Sequence, residues 1–323
     1  MLSFVAQRIV KGAIVLLAII VLNFFLIRLA PGDPAVVMAG EAGAGDQVFV
    51  TQLREKFGLD RPLPEQLFLY VKGILSFDLG FSFRQQMPVS KLILDRLPAT
   101  LLLTMTAFTI SLVLGILLGT LAARWAGTWA DTAITVVALV FYATPLFWIA
   151  LMAILLFSVA LDWLPSFGYE TIGANYTGFA HILDVGAHLI MPAMTIGLFF
   201  MATYARMTRA SMLEVKRLDF VKTARAKGLR DKVIQRRHVL RNALLPVVTL
   251  AGLHSGTLIG GAVLTETVFA WPGIGRLMYE ALLQRDYNLL LGVFVVCSAM
   301  VLIFNLVTDL VYRMVDPRID FSP

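Results

Sequence analysis

Charge is scarce in this sequence. Only 15% of its 323 residues are charged, and the mean hydropathy is +0.81, whereas a soluble globular domain carries about 25% charged residues. This shortage excludes an ordinary soluble domain. We therefore interpret the chain as an all-α integral membrane protein.

Cysteine and catalytic motifs are also missing or nearly so. Cys297 is the only cysteine, so no disulfide can form within the chain. The sequence has no G-x-x-x-x-G-K-[ST] phosphate loop, no H-E-x-x-H, no C-x-x-C pair and no G-x-S-x-G elbow. We predict no catalytic residue, cofactor or metal site here. Energy for active transport would then come from an ion gradient, which usually leaves buried carboxylates in the spans, or from another subunit.

Long uncharged runs are abundant. A helix needs about 20 mostly apolar residues to cross a bilayer, and the two shortest runs, of 16 and 17 residues, are flanked by basic side chains that can reach the headgroups. The first run lacks the cleavage site of a signal peptide, so we expect it to be retained. We predict six transmembrane helices, over residues 12–27, 97–123, 132–161, 189–205, 242–265 and 287–308.

Positive charge is concentrated in residues 206–241, which hold 12 Lys or Arg against 3 acidic residues. The loop 162–188 has no Lys or Arg. The positive-inside rule therefore places 206–241, and with it both termini, in the cytoplasm. The predicted organisation is a cytoplasmic end with the first span (1–30), an external segment (31–96), a transmembrane domain (97–316) with its cytoplasmic loop (206–241), and a cytoplasmic tail (317–323).

The external segment has helical patterns of its own. Residues 49–59 and 64–77 space their apolar residues as helices do and are bounded by Pro or Gly. We expect two or three short helices on the outer membrane surface.

The pattern of the basic cytoplasmic segment predicts two helices that meet at Gly228. This geometry suits docking into a cleft of a soluble partner, but a polybasic patch on anionic lipid and simple topology bias remain open. No aromatic platform accompanies the charge, so we predict no nucleic-acid binding. One apolar face is formed by Ala210, Leu213, Arg217, Val221 and Ala224, and the other by Leu229, Val233 and Leu240.

Glycine and proline positions predict how the spans pack. Gly252, Gly256 and Gly260 recur every four residues and predict a close helix contact along the fifth span. Gly115 and Gly119 are a shorter copy in the second span. Pro145 is expected to kink the third span.

A short amphipathic helix should follow the fifth span on the outer face, where it could cover an opening. Pro272 and Gly273 precede it. Its apolar residues are Ile274, Leu277, Met278, Ala281 and Leu282.

Several motifs resemble one family along nearly the whole chain. The stretches "DFVKTARAKGL" and "RRHVLRNALLPVVT" resemble the cytoplasmic loop motif of the dipeptide, oligopeptide and nickel permeases of binding-protein-dependent ABC importers. "RLAPGDPA", "LREKFGLDRPLPEQ", "DRLPATLLLT" and "GGAVLTETVFAWPGIGRLMYEAL" are similar to that family in the same order. Where the family has "RDYP" this chain has "RDYN", and we expect Asn288 to leave the start of the last span less rigidly set.

The resemblance implies a type I ABC importer permease fold with an extra external helical segment, in a bacterial inner membrane. It implies as partners a second related permease, two cytoplasmic ATPases that bind ATP and Mg, an external substrate-binding protein and membrane lipid. A secondary transporter would need ion sites and an internal repeat, and a membrane enzyme would need clustered acids, histidines or a nucleophile; we see none of these in the sequence.

The resemblance also assigns roles to residues. Residues 229–235 would form the coupling helix that contacts an ATPase, and the outer helix would gate substrate release. The implied coupling interface is Ala224, Arg225, Lys227, Gly228, Leu229, Arg230, Asp231, Val233 and Ile234; the implied external gate is Pro272, Gly273, Ile274, Leu277 and Met278.

Overall fold

The computed structural model describes residues 2–29, 36, 39–40, 46–56 and 60–315. These residues form two compact units. The first unit holds the described residues up to Pro98 and those from Gly273 to Leu306, and the second holds Ala99 to Pro272 and continues from Val307.

Helices dominate the described residues, as the composition predicts. The elements are α1 Leu2–Leu29, α2 Gln47–Lys56, α3 Leu63–Leu75, β1 Phe81–Ser82, β2 Met87–Pro88, α4 Val89–Arg124, α5 Trp129–Ala143, α6 Leu146–Ala153 continued by the π-helix Ile154–Ala160, α7 Phe179–Val215, α8 Asp219–Ala226, α9 Asp231–Val233 continued by the π-helix Ile234–Leu240, α10 Arg241–Val268, α11 Ile274–Gln284 and α12 Tyr287–Val315.

The span count of six stays a prediction. Among the described residues, four helices are long and apolar enough to cross a membrane, and the bent pair α5 and α6 gives a fifth if it counts as one span. Helix α10 covers the predicted fifth run but is not among those helices. The four are parts or all of α1, α4, α7 and α12, over Ala6–Leu26, Val89–Arg124, Phe179–Val215 and Tyr287–Thr308.

Three of these helices begin well before the predicted spans, and the first of them, α1, starts ten residues before residue 12. Helix α4 starts eight residues before residue 97, and α7 starts ten residues before residue 189. Polar side chains interrupt the uncharged pattern there without ending the helix. In α7, for example, buried His188 has its Nδ1 2.8 Å from the Asp184 carbonyl oxygen one turn earlier.

The third predicted span is broken at Pro145, where we predicted a kink. Helix α5 ends at Ala143, α6 begins at Leu146, and the two are bent by 104°. Proline lacks the N–H that would continue the helix, and it favours an extended conformation at the preceding residue. Thr144 is indeed extended, and its hydroxyl donates a hydrogen bond of 2.6 Å to the Val140 carbonyl oxygen.

Small residues bring α4 and α7 together, as the pattern at Gly115 and Gly119 predicts. A Cβ atom at Gly115 would lie 2.5 Å from Tyr204 Cβ, and one at Gly119 would lie 2.5 Å from the Ala205 carbonyl oxygen. A larger side chain at either position of α4 would force the two helices apart.

The glycine strip of α10 is confirmed at its first position. A Cβ at Gly252 would overlap the Thr308 side chain. Gly256 is half-buried, and the surroundings of Gly260 lie outside the described residues, so close packing at these two positions stays a prediction.

In the first unit, α2 and α3 confirm the helices predicted within 49–59 and 64–77. The short antiparallel hairpin of β1 and β2 was not predicted. It holds the start of α12 in a way that corrects our expectation for Asn288. The Asn288 side-chain amide donates a 3.1 Å hydrogen bond to the Phe81 carbonyl oxygen, and buried Asp286 accepts one from the Ser82 hydroxyl and one of 3.0 Å from the Leu289 N–H.

Candidate functional site

The candidate site is the segment between α7 and α10. Helix α7 ends at Val215, earlier than the predicted face requires, and the chain turns through 216–218. Arg217 therefore lies exposed in a turn, and Ala210 is exposed on α7, so the predicted face through these two residues is wrong. The extended Leu218, with ψ of 149°, starts a new helix in a new direction.

Lys216 fixes the end of α7. Its Nζ donates a hydrogen bond to the Ala123 carbonyl oxygen near the C-terminal end of α4. Burial lowers the pKa of the Lys216 ammonium group below its ordinary value. This contact ties the base of the segment to the second unit's long helices.

Helix α8 packs on this base through its small apolar face. Val221 is 1% exposed and Ala224 is 6% exposed. The predicted role of Ala224, close packing of the stem, matches its buried position. The cluster around these two residues consists of Ala123, Met212, Val221, Ala224, Ile234, Val239 and Ala243.

Gly228 ends α8 with a left-handed turn. Its φ is +78°, its N–H donates a 2.9 Å hydrogen bond to the Arg225 carbonyl oxygen, and the Leu229 N–H is 3.4 Å from the Ala224 carbonyl oxygen. This is the Schellman arrangement that closes a helix C-terminus. A Cβ at Gly228 would have nothing within 4 Å, so the backbone conformation, and not space, requires glycine.

The second predicted stripe is correct at Leu240, which packs against the buried cluster, and wrong at Leu229 and Val233. Ile234 and Val239 are buried, whereas Leu229 and Val233 are each 40% exposed. The chain from Ile234 to Leu240 is a π-helix, which has more residues per turn than an α-helix. The five-residue spacing of Ile234 and Val239 fits this wider turn, and an α-helical period does not place both of them in the core.

This correction gives the segment an outward apolar surface with a basic rim. Leu229 and Val233 are the apolar residues, and Arg225, Lys227 and Arg230 are exposed basic residues of the same stretch. The Arg225 Nε lies 3.8 Å from Asp231 Oδ1, between side chains that are 66% and 75% exposed, so this ion pair adds little stability. The residues implied as an interface thus divide: Ala224 and Ile234 face inward, Gly228 makes the turn, and the other six are exposed.

Sequence reasoning missed a buried ion pair beside this segment. Arg209 of α7 donates hydrogen bonds of 2.6 and 2.7 Å to the two carboxylate oxygens of Asp131 in α5, and the Gly127 N–H donates one of 3.0 Å to the same group. The Asp131 side chain is only 6% exposed. The two residues are 78 positions apart, and the available signal was an acidic residue just before the third predicted span and a basic residue a few positions after the fourth.

The predicted gate residues lie at the start of α11 and are mostly buried. Ile274 and Leu277 are each 1% exposed, and Met278 is half-buried. The apolar surface that α11 exposes is formed instead by Leu282 and Leu283, at 57% and 66%. The prediction placed Leu282 on the helix's apolar face with Ile274 and Leu277, and the structure separates it from them.

The turn before α11 is held by a tryptophan. The Trp271 indole N–H donates a 2.9 Å hydrogen bond to the Ala99 carbonyl oxygen, and its backbone N–H donates one of 2.8 Å to the Glu266 carbonyl oxygen. The buried Glu266 carboxylate accepts a 2.8 Å hydrogen bond from the Thr100 hydroxyl. These contacts fix the backbone that leads to Pro272. Within the part of the chain that the structure describes, no group of three or more His, Cys, Asp or Glu side chains could hold a metal ion.

Solved structures establish the class of this fold. It is similar to the inward-facing MetNI methionine ABC transporter, with a TM-score of 0.55 and 21% identity over 70% of this chain and 96% of that one. It is also similar to an amino acid ABC transporter crystallised with histidines, with a TM-score of 0.51 and 16% identity over 70% and 94%. The fold is that of a type I ABC importer permease.

Sequence comparison gives the family. Residues 115–321 match the binding-protein-dependent transport system inner membrane component, and residues 1–104 match the N-terminal part of the same kind of protein. The chain belongs to this family of transporter permeases.

Relatives named as peptide transport permeases align over nearly their full length. The di/tripeptide transport system permease protein DppB of Pseudomonas aeruginosa is 40% identical over 99% of both chains. The dipeptide transport system permease proteins DppB of Escherichia coli K12 and Alkalihalophilus pseudofirmus are each 38% identical, and they align with 99% of this chain and with 99% and 100% of their own lengths.

Proposed function

We propose that this chain forms half of the translocation pathway of an ABC importer for di- or oligopeptides or related small compounds. The names of its relatives support the peptide cargo. The observation that carries the mechanism is the exposed pair formed by Leu229, in the turn before α9, and Val233 of α9, next to the buried Ile234 and Val239. Such a surface fits a cleft in a soluble subunit.

The proposed assembly contains a second related permease, two cytoplasmic ATPases and an external substrate-binding protein. ATP and Mg would bind to the ATPases, and this chain would hold no cofactor. The chain would lie in a bacterial inner membrane with both termini in the cytoplasm, because the positive charge of 206–241 favours that side.

The coupling step follows from how the segment is anchored. Val221, Ala224 and Ile234 are buried in one cluster with Ala123 of α4 and Met212 of α7. A push on the exposed side of the segment therefore displaces these two helices instead of bending a loop. Movement of the ATPases on binding or hydrolysing ATP would reach the spans by this route, as a rigid-body shift.

Replacing Gly228 with valine tests the coupling role. A β-branched residue at φ of +78° is strained by about 1–3 kcal/mol, so the turn should change and the docking surface should tilt. We expect binding-protein-stimulated ATP hydrolysis to lose its link to peptide uptake in proteoliposomes, while membrane insertion stays normal.

Gly173 provides the matched control. It also has a positive φ, of +81°, and nothing lies within 4 Å of a Cβ placed there. Gly173→Val should introduce similar strain in the loop before α7 and leave coupling intact. Unchanged uptake in Gly228→Val, or equal losses in both variants, would contradict the role of the turn.

A further inference from the structure

A second surface of the same segment is strongly basic. A depression of about 540 Å³ is lined by Lys232, Val233, Arg236, Arg237 and Arg241. The four basic side chains are exposed. Apart from Val233, none of these residues belongs to the coupling surface described above.

These four cations have no acidic partner in the described part of the chain. The only acidic residue between Lys227 and Arg241 is Asp231, and its carboxylate lies toward Arg225. Four uncompensated positive charges around one depression repel each other, so a bound anion would stabilise the arrangement.

The π-helix explains why the charges converge. Its wider turn brings residues four and five positions apart to one side, and the basic residues are spaced by four or five from Lys232 to Arg236 and Arg237 and on to Arg241. A sequence read with the α-helical period spreads them around the helix instead.

The position along the chain indicates which anion. Arg241 directly precedes the uncharged run 242–265 and is the first residue of α10. An α-helix rises about 1.5 Å per residue, so Lys232 lies at most about 14 Å further from that run. The polar layer on each side of a bilayer is roughly 5–8 Å thick, so Arg237 and Arg241 fall at headgroup level.

We propose that this basic depression binds the phosphate of an anionic phospholipid headgroup at the membrane surface. Two arginine guanidinium groups can each bind phosphate oxygens in pairs, and exposed Val233 offers apolar contact beside them. The proposal goes beyond coupling, and it uses the proposed orientation only to name the cytoplasmic leaflet.

The test titrates the full-length chain, purified in detergent with the subunits that accompany it and stripped of lipid. The probes are dioctanoyl-phosphatidylglycerol, dioctanoyl-phosphatidylcholine and inorganic phosphate, and native mass spectrometry counts the bound molecules. We expect the anionic lipid to bind and the zwitterionic lipid not to. Arg237→Gln with Arg241→Gln should weaken anionic-lipid binding about thirtyfold, from the contribution of two basic residues at a membrane surface.

Two further variants make the result specific. Arg217→Gln with Lys222→Gln removes the same charge from exposed positions outside the depression and should leave lipid binding within about twofold, since the charges nearest the phosphate dominate at this range. Arg237→Lys with Arg241→Lys keeps the charge but loses the paired hydrogen bonds of the guanidinium groups, so binding should fall by less than in the glutamine pair. This intermediate result would separate loss of charge from loss of folding.

Four outcomes would overturn the proposal. These are equal binding of both lipids, an equal loss in the control pair, displacement of the lipid by an equal concentration of inorganic phosphate, and loss of the ATPase subunits from Arg237→Gln with Arg241→Gln while lipid binding stays unchanged. The last would assign the cluster to the ATPase. Gly228→Val should keep its bound lipid, so failure of the coupling role would be distinguishable from failure of this site.

Discussion

Asp131 and Arg209 form a buried contact between two helices of the second unit. The carboxylate accepts three hydrogen bonds, two from the Arg209 guanidinium and one from the Gly127 N–H. Its side chain is 6% exposed and that of Arg209 is 33% exposed. Water can therefore reach the arginine but not the carboxylate, so the two partners should respond unequally to mutation.

Asp131→Asn should lower the stability of the purified chain by about 2 kcal/mol. This is less than the roughly 3–5 kcal/mol of a fully buried pair, because the Arg209 cation left behind is partly solvated. We expect Tm to fall by about 5 °C in a thermal unfolding experiment in detergent.

The single variant Arg209→Gln and the double variant Asp131→Asn with Arg209→Gln complete a double-mutant cycle for this ion pair. If the pair acts as a unit, the two losses will not add, and the double variant will be about as stable as the single Asp131→Asn chain. Additive losses, or an unchanged Tm in Asp131→Asn, would show that the pair contributes no coupling energy.

Asn288 shows a limit of motif reasoning at this scale. The expected proline would have fixed φ at the start of α12, and its replacement pointed to a looser start. The structure instead uses the Asn288 amide and the Asp286 carboxylate to join this end of the helix to β1. A motif comparison shows only that the proline is missing. It does not show that Asn288 gains a hydrogen bond to Phe81, which is 207 residues away in the sequence.

Helix packing in the second unit depends on two glycines of α4. A Cβ atom placed on Gly119 would lie 2.5 Å from the Ala205 carbonyl oxygen of α7. Gly119→Ala should therefore force the helices apart and cost about 1–3 kcal/mol, measured as a lower Tm.

Gly186 of α7 is the control for that substitution. It is also a helical glycine, but nothing lies within 4 Å of a Cβ there. Gly186→Ala should leave Tm unchanged or raise it slightly, since alanine favours helix more than glycine. Equal effects at both positions would mean that backbone propensity, and not helix contact, sets the response.

Element types were largely predictable, and their ends were not. Apolar spacing identified α2, α3 and α11 correctly, and it recognised the face of α8 that buries Val221 and Ala224. It failed between Val215 and Asp219, where a turn interrupts a continuous apolar pattern, and at the π-helix Ile234–Leu240, where the period itself changes. In both places the local pattern fits a regular α-helix, and tertiary packing decides otherwise.

The location of the candidate site was predictable from the sequence, but its outward surface was not. Gly228 and the basic residues around it stand out in the sequence, since glycine adopts a left-handed turn more readily than other residues and charge is rare elsewhere. The prediction was wrong about which apolar residues face outward, because it placed Leu229 and Val233 on the buried stripe. The convergence of the basic side chains around the depression follows from the change of period in the π-helix, whereas Leu229 and Val233 are exposed just before the π-helix begins.

At the scale of the whole molecule, charge distribution predicts orientation. Residues 206–241 carry a net charge of +9, whereas the loop 162–188 has no Lys or Arg. The two segments should therefore lie on opposite sides of the membrane, with the basic one in the cytoplasm. Because Cys297 is the only cysteine, Cys297→Ser gives a cysteine-free chain in which single cysteines can report each side.

Two reporter positions are well exposed in the structure. Ile172 is 97% exposed, and the Lys222 side chain is 68% exposed. In right-side-out vesicles, a membrane-impermeant maleimide should label Ile172→Cys and not Lys222→Cys, and in inverted vesicles the pattern should reverse. The opposite pattern would put the basic segment outside, where no ATP-driven subunit could reach it, and the coupling role would fall with it. Labelling of both positions from one side would mean that the chain does not cross the membrane between them, contrary to the span predicted over 189–205. The labelled side would then be the side on which the basic segment lies.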